Sequence, residues 1–383
     1  MTVPQASEKF KRWFVDDALP LWAAQGYDHG RGGFYEALNF DGSPSENRPR
    51  RVRAQARQIH TFSQAGMRGW HKDAEALAAK GFEYFLEKAC PEDGARGCVH
   101  LIGDNGEVID DKRDLYDQAF LLLACASRWQ AAKDDRALVL AGRTIEFLDR
   151  ELASPYGGWH ESDARELPRR QNPHMHLFEA FMALYAATKS ESYLEYSRYV
   201  FELFQSSFLE TDGDFIYEYF SEKLSPADDD LGKTIEPGHM MEWIWLIKKY
   251  EVLSQKPAPI DGLKIFQKAQ KTGADPKSSF LVDRLVEGET PELKSRRLWP
   301  QTEYIKACIA LAKNGAPQLA NTASEIIENL FTTYLAADAK GTWIDQFDGL
   351  GAPMAKDVPA SILYHLLEAV AETETLNASK GAQ

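Results

Sequence analysis

Four cysteines in 383 residues, Cys90, Cys98, Cys125 and Cys308, show no CxxC spacing, so the chain carries neither a disulfide framework nor a zinc-thiolate site. No stretch supplies the ~20 uncharged apolar residues that a bilayer span requires, and residues 1–22 lack the apolar core of a secretory leader. A cytoplasmic location without membrane attachment is expected. Basic residues are in deficit: 44 Lys plus Arg against 58 Asp plus Glu leave a net charge of −14, which repels nucleic acid and anionic lipid. Phosphate-cradling GxGxxG and GxxxxGK[ST] loops, a GxSxG nucleophile elbow and an HExxH pair are all missing, which argues against nucleotide, serine-hydrolase and zincin chemistry. Long β-branched runs are missing too, and with them a parallel sheet.

What is abundant is aromatic. The 20 Phe, 15 Tyr and 9 Trp in a chain that is 44% hydrophobic indicate a packed globule. They recur with a period. A Gly-aromatic-acid signature appears at Gly33-Phe34-Tyr35-Glu36, Gly158-Trp159-His160-Glu161, Gly213 to Glu218 and Gly341-Thr342-Trp343-Ile344-Asp345, with weaker echoes near Gly97 and Phe280. Each reads as a tight turn followed by a short extended segment. Between these turns lie pairs of segments with apolar residues at three- and four-residue spacing, such as 114–129 with 135–152 and 172–187 with 190–208. The first of each pair is apolar around most of its circumference, and the second (74–85, 137–148, 323–334) carries a one-sided stripe. An inner and an outer ring explain the difference. A repeat of about sixty residues leaves room for about six pairs, so the expected fold is all-α, an (α/α)6 barrel with short β-hairpins in the loops. It forms a single domain over 1–383, with a polar tail from about residue 373; an open two-layer solenoid is the competing architecture.

Polar residues recur where inner helices should be apolar: Arg53, Tyr116, His176, His239, Thr302 and His365, at intervals of 63, 60, 63, 63 and 63. One position per repeat therefore faces a common axis. Buried polar groups cost about 1–3 kcal/mol each unless paired, so six in register point to a ligand cavity rather than to six unrelated core networks. Helical neighbours at i+3 and i+4 add to this face, pairing Asn172 with His176 and His239 with Glu242. Pro237-Gly238 before His239 and Pro300 before Thr302 suit helix starts, which places the polar ring at the inner-helix N-termini. There the helix dipole favours a neutral His239 imidazole. His174 and His176, two apart, diverge by about 200° on a helix and cannot share an ion, so His174 is assigned a structural role. A metal site from His176, His239, His365 and Glu242 is the less favoured reading of the cluster. The basic run Arg48, Arg50, Arg51, Arg53 and Arg57 could hold a phosphate or sulfonate, although a surface position is the simpler expectation for most of it.

These segments carry a resemblance. Arg53-Ala54-Gln55-Ala56-Arg57, Asp114-Leu115-Tyr116-Asp117-Gln118, Asn172-Pro173-His174-Met175-His176, Pro237-Gly238-His239 with Glu242-Trp243, and Trp299-Pro300-Gln301-Thr302-Glu303 occur in order along the chain. Together they resemble the N-acylglucosamine 2-epimerase superfamily, (α/α)6 barrels that interconvert sugars at C1 and C2. Trp243 after Glu242 looks most like the aldose-ketose isomerase branch, which includes the D-mannose isomerases. The resemblance implies a monosaccharide substrate, no cofactor and no metal, and a monomer or homodimer. It implies that His239 moves the C2 proton, with His365 as the partner acid/base. Arg53 would stabilise enediolate charge, and Tyr116, Asn172, His176, Glu242 and Gln301 would orient hydroxyls. Trp299 and Trp343 would form walls against the sugar's apolar face. Histidine titrates near neutrality, as a base acting beside a carbonyl must. The runner-up is a 2-epimerase acting on N-acylglucosamine or a related aldose or disaccharide; less favoured are a glycoside hydrolase using two of Glu242, Glu303 and Asp117, and a helical scaffold without catalysis.

Overall fold

The computed structural model describes residues 1–210, 212 and 214–378; Gly213 of the third turn signature lies outside the described residues. The chain begins with α1 (Val3–Arg12), which passes through a π-helical stretch, Trp13–Ala18, into α2 (Leu19–Gln25). Helices then follow in pairs: α3 (Val52–Met67) with α4 (Ala74–Ala89), α5 (Leu115–Ala132) with α6 (Asp135–Phe147), α7 (Gln171–Thr188) with α8 (Glu191–Leu203), α9 (Pro237–Ser254) with α10 (Gly262–Gly273), and α11 (Leu298–Lys313) with α12 (Leu319–Phe331). The last helix is α13 (Ile362–Ala378).

The odd-numbered helices from α3 to α13 pack side by side, and α13 returns to α3. That closure makes the molecule an (α/α)6 barrel and rules out the open solenoid. The sixth pair is made across the termini, with α1 packing outside α13. Ring position explains the two kinds of amphipathicity. In the inner helix α11 every residue from Leu298 to Leu311 is buried, whereas the outer helix α12 buries one stripe, Leu319, Ala323, Ser324, Ile326, Ile327 and Leu330. Among the described residues no helix is long and apolar enough to cross a membrane.

Short strand pairs decorate one end of the barrel. Local bridges such as Leu38 with Pro44 and Phe347 with Pro353 make the expected small hairpins. Most pairs between strands instead join neighbouring repeats: Arg50–Arg51 with Leu101–Ile102, Arg169–Arg170 with Tyr219–Phe220, Thr234–Ile235 with Leu285–Val286, and Leu293–Arg297 with Gln346–Gly349. Ala37–Leu38 pairs with Val358–Pro359 and closes this rim as α13 closes the helices. Every inner helix except α5 thus starts from a strand held by another repeat. The polar tail expected from about residue 373 is a correction: α13 runs to Ala378, and Thr373 is 1% exposed with its hydroxyl on the Val370 carbonyl. The neighbouring Glu372 is held there by Trp245 Nε1 of α9 and Lys313 Nζ of α11.

Candidate active site

A cavity of about 360 Å3 opens at the N-terminal ends of the inner helices. Five of the six in-register residues line it: Arg53, Tyr116, His176, His239 and His365, joined by Asn172, Glu242 and Trp299. Thr302 does not; its hydroxyl donates to the Trp299 carbonyl, inside the helix. Helix α9 starts with Pro237 in its first turn, and a Cβ on Gly238 would come within 2.7 Å of the Trp299 ring. Glycine there lets Trp299 lie across the helix start, with its ring 4.8 Å from that of His239 and 5.8 Å from that of His365.

The three cavity histidines are each held through Nδ1 by a carboxylate. His176 meets Glu179 at 3.1 Å, His239 meets Glu218 at 3.0 Å, and His365 meets Glu303 at 2.8 Å. Nε2 is the nitrogen left for a ligand in every case. Their protonation differs. Burial pushes His176 down to about 4 despite Glu179, and burial with the nearby Arg57 and Lys306 holds His365 well below its ordinary value. Burial alone would also depress His239. Glu218 and Glu236, the latter 3.5 Å from Nδ1, overcome it and raise His239 to about 10. The neutral imidazole expected from the helix dipole is therefore corrected: two carboxylates outweigh a partial charge. Glu236, crowded by burial and by Glu218, is raised to about 7. Glu242 is fully buried with both oxygens unpartnered, and burial and Glu303 raise it well above the carboxylate range.

The basic run divides. Arg48 pairs with Asp357, Arg50 with Asp28 and Asp104, Arg51 with Glu36, and Arg53 with Asp117 at 3.3 Å. Arg50 is fully buried, contrary to the expectation of a surface position. Arg57 is buried as well and has no carboxylate partner among the described residues. It donates to Tyr116 Oη at 2.8 Å and lies over the Phe120 ring, with Nε unpaired. The guanidinium free to meet developing negative charge is therefore Arg57, one helical turn deeper than Arg53.

The acids that end the turn signatures were missed as site residues. Glu36, Glu161 and Asp283 each take the backbone N–H and pair with the guanidinium of the arginine preceding an inner helix, Arg51, Arg170 and Arg297. Glu218 serves His239, and Asp345 lines the cavity, raised to about 6 by burial. The periodicity of the signature was visible; that its final acid faces the same axis as the helix residues was the unused signal.

Two expected site residues stand elsewhere. Gln301 spends its amide on the backbone N–H and C=O of Leu281, at 2.8 Å each, as Gln55 does on Phe34 and Gln118 on Cys98. It is a clamp between inner helix and turn. Trp343 is fully buried, stacked on Trp22 at 5.4 Å, and offers no wall to the cavity. Trp243 also belongs to the core, stacked on Phe204 with Nε1 on Gln171. His174 accepts from Trp159 N–H at 3.1 Å, and burial lowers it to about 3; a Cβ on Gly158 would sit 2.5 Å from its Nε2.

Among the described residues, four sets of three donors lie close enough to share a cation: His100 with Asp114 and Asp117, His176 with Glu179 and Glu242, His239 with Glu218 and Glu236, and His365 with Glu242 and Glu303. Each already contains a His–carboxylate hydrogen bond, which accounts for the proximity.

The sequence pattern that describes N-acylglucosamine 2-epimerase (GlcNAc 2-epimerase) matches residues 33–369. A mannose-6-phosphate isomerase of Rhizobium meliloti (strain 1021) is 32% identical, covering 94% of this chain and 95% of its own. A cellobiose 2-epimerase of Dictyoglomus turgidum (strain DSM 6724 / Z-1310) is 22% identical over 86% of this chain and 87% of its own. The crystal structure of a D-mannose isomerase superposes with a TM-score of 0.86 at 22% identity, covering 97% of this chain and 98% of that one.

Proposed function

The chain belongs to the N-acylglucosamine 2-epimerase family and is a carbohydrate epimerase or isomerase, and from that premise we propose that it is an aldose-ketose isomerase converting D-mannose to D-fructose. One observation carries the mechanism: two histidines on either side of Trp299 titrate in opposite directions. Environments that push two groups apart assign an acid and a base. The roles first suggested for them are thereby exchanged.

His365, neutral, removes the C2 proton of the open-chain aldose through Nε2. The C–H electron pair becomes the C1=C2 bond, and the carbonyl π pair moves onto O1, which takes a proton from the His239 imidazolium. The cis-enediol then loses its O2 proton to His239, C2=O forms, and the proton held on His365 goes to C1 on the same face. Arg57 stabilises the enediolate charge. Asn172 Oδ1, buried and unpartnered, and Tyr116 are suited to hold hydroxyls.

A neutral sugar fits better than a phosphate. Four of the five arginines in the basic run are already neutralised, and the fifth lies at the reacting end beside His176 and His365. Glu236 and Asp345 line the same cavity and, when ionised, would repel a dianion there. A paired-carboxylate hydrolase is disfavoured, because Asp117 is spent on His100 and Arg53, and Glu303 on His365 and Lys306.

The test is NMR of mannose, mannose 6-phosphate, N-acetylmannosamine and cellobiose with the enzyme in D2O. Fructose is expected from mannose, with deuterium at C1 to the extent that the proton held on His365 exchanges with solvent before its transfer. Glucose formed without fructose, or reaction of cellobiose or the N-acetylated sugar alone, would move the chain to 2-epimerisation, and exclusive reaction of the phosphate would overturn the neutral-sugar reading. Activity should survive exhaustive EDTA dialysis; loss restored by a divalent metal would assign the donor sets to an ion instead.

A further inference from the structure

Beneath the cavity lies a charged group that the reaction as written does not use. Lys306 of α11 is completely buried, with Nζ 2.6 Å from Glu303 Oε2 and 3.6 Å from the centre of the Trp245 ring. A buried ammonium is costly unless its charge is needed nearby. Three carboxylates converge around it: Glu303, Glu242 and Glu179. Glu179 already has His176 and two contacts from the Tyr364 hydroxyl at 2.6 Å. Glu242 has no hydrogen-bond partner among the described residues. Glu303 divides its two oxygens, Oε1 to His365 Nδ1 and Oε2 to Lys306.

We propose that Lys306 is a positioning residue which, by keeping Glu303 a carboxylate, fixes His365 in the Nδ1–H tautomer with its Nε2 lone pair toward the cavity. The inference rests on the assignment of His365 as the base. A carboxylate only accepts hydrogen bonds, so it demands the proton on Nδ1; a carboxylic acid can also donate, and with its proton on Oε1, the oxygen facing His365, it would turn the same contact round. Burial and the neighbouring Glu179 push Glu303 toward protonation, and Lys306 is the strongest influence opposing them. Without the ammonium, Glu303 takes up a proton and keeps it on Oε1 as the hydrogen-bond donor to a bare Nδ1, and the hydrogen of His365 moves to Nε2. The imidazole would then face the sugar as a donor, unable to take the C2 proton. Arg57, His176 and Glu179 also act on His365, but none bonds its Nδ1. A wrong tautomer in a catalytic histidine can cost several orders of magnitude in turnover with geometry intact.

The experiment is 15N–1H long-range correlation spectroscopy of the histidine side chains, with His365 assigned by the signals lost in His365→Asn. In the unsubstituted protein His365 should be protonated on Nδ1 and bare at Nε2; protonation on Nε2 overturns the proposal without need of any variant. Lys306→Met should move the proton to Nε2 and lower kcat by about a hundredfold or more while KM changes little. A folded Lys306→Met that keeps Nδ1–H and near-normal kcat also overturns it. The tautomer is read without sugar, so a chain that shows the switch yet isomerises no hexose would lose the isomerase assignment and keep this one.

Discussion

The barrel has two open ends, and the larger cavity is not the proposed site. The bowl at the C-terminal ends of the inner helices encloses about 430 Å3 against about 360 Å3 at the N-terminal mouth, and it too contains a histidine, glutamates and lysines. The difference lies in satisfaction. In the bowl His60 is held between Ser127 and Glu368, Lys249 approaches Glu368, and Glu372 takes Trp245 and Lys313. None of its lining residues has an orphaned buried polar atom among the described residues, whereas Arg57, Asn172, Glu218, Glu242, Arg297 and Asp345 at the mouth all do. On a cavity wall, polar groups that folding leaves unpaired are available to a ligand. Volume and the mere presence of titratable residues would not have separated the two ends.

The comparison breaks most directly at the histidines. His239→Asn and His365→Asn should each lower kcat by about a hundredfold or more, as loss of a general acid or base does. His60→Asn, made in the bowl, should leave turnover per folded molecule nearly unchanged. Steady-state kinetics on mannose, with folded fraction checked by circular dichroism, separates the two ends. Equal losses at His60 and His365 would abolish the distinction.

A smaller effect sharpens the mouth itself. Arg57→Met should reduce kcat by about 10–100-fold, since removing one donor from a site of developing charge has that order of cost. Arg53→Met, already neutralised by Asp117, should cost less than its neighbour. The reverse ranking in kcat would return Arg53 to the role the resemblance gave it.

The pH profile follows from the opposed histidines. His239 acts as an acid only while protonated, and with its value raised to about 10 the alkaline limb of kcat should lie far above neutrality. His365 acts as a base only while neutral, and its depressed value places the acid limb well below the ordinary histidine range. Glu218→Gln removes the charge that most strongly raises His239, so the alkaline limb should move down, by about one pH unit or more, while the acid limb stays. An unmoved alkaline limb would show that His239 is not the acid.

Much of this was legible in the chain. The register from Arg53 to His365 located five cavity residues, because a strict repeat in a closed ring sends equivalent positions to one axis. Gln301 and Trp343 misled for a related reason: polar or aromatic character near that register does not state which side of the helix or turn it occupies, and one residue from Thr302 is a rotation of about 100°. Arg57 was in plain view, one turn beyond Arg53, but its lack of a carboxylate is a fact of three dimensions. So is the charge on His239, set by Glu218 from a loop 21 residues earlier.

The smallest expected effect concerns the bowl, where pairing should show as stability rather than rate. Burial disfavours the Glu368 carboxylate, but the His60 hydrogen bond, Lys249 and Lys306 hold it far below the usual carboxylate range. A depressed carboxylate stabilises the folded state above its unfolded value, about 4.3, and that contribution fades as pH falls toward the folded value. Glu368→Gln should therefore cost about 1–3 kcal/mol near pH 7, with the gap from the parent protein narrowing as pH falls below about 4. Denaturant unfolding at several pH values measures the gap, and kcat of the folded variant should match the parent. A penalty independent of pH would mean that Glu368 acts through packing, and a large loss of kcat would mean that the bowl takes part in the chemistry after all.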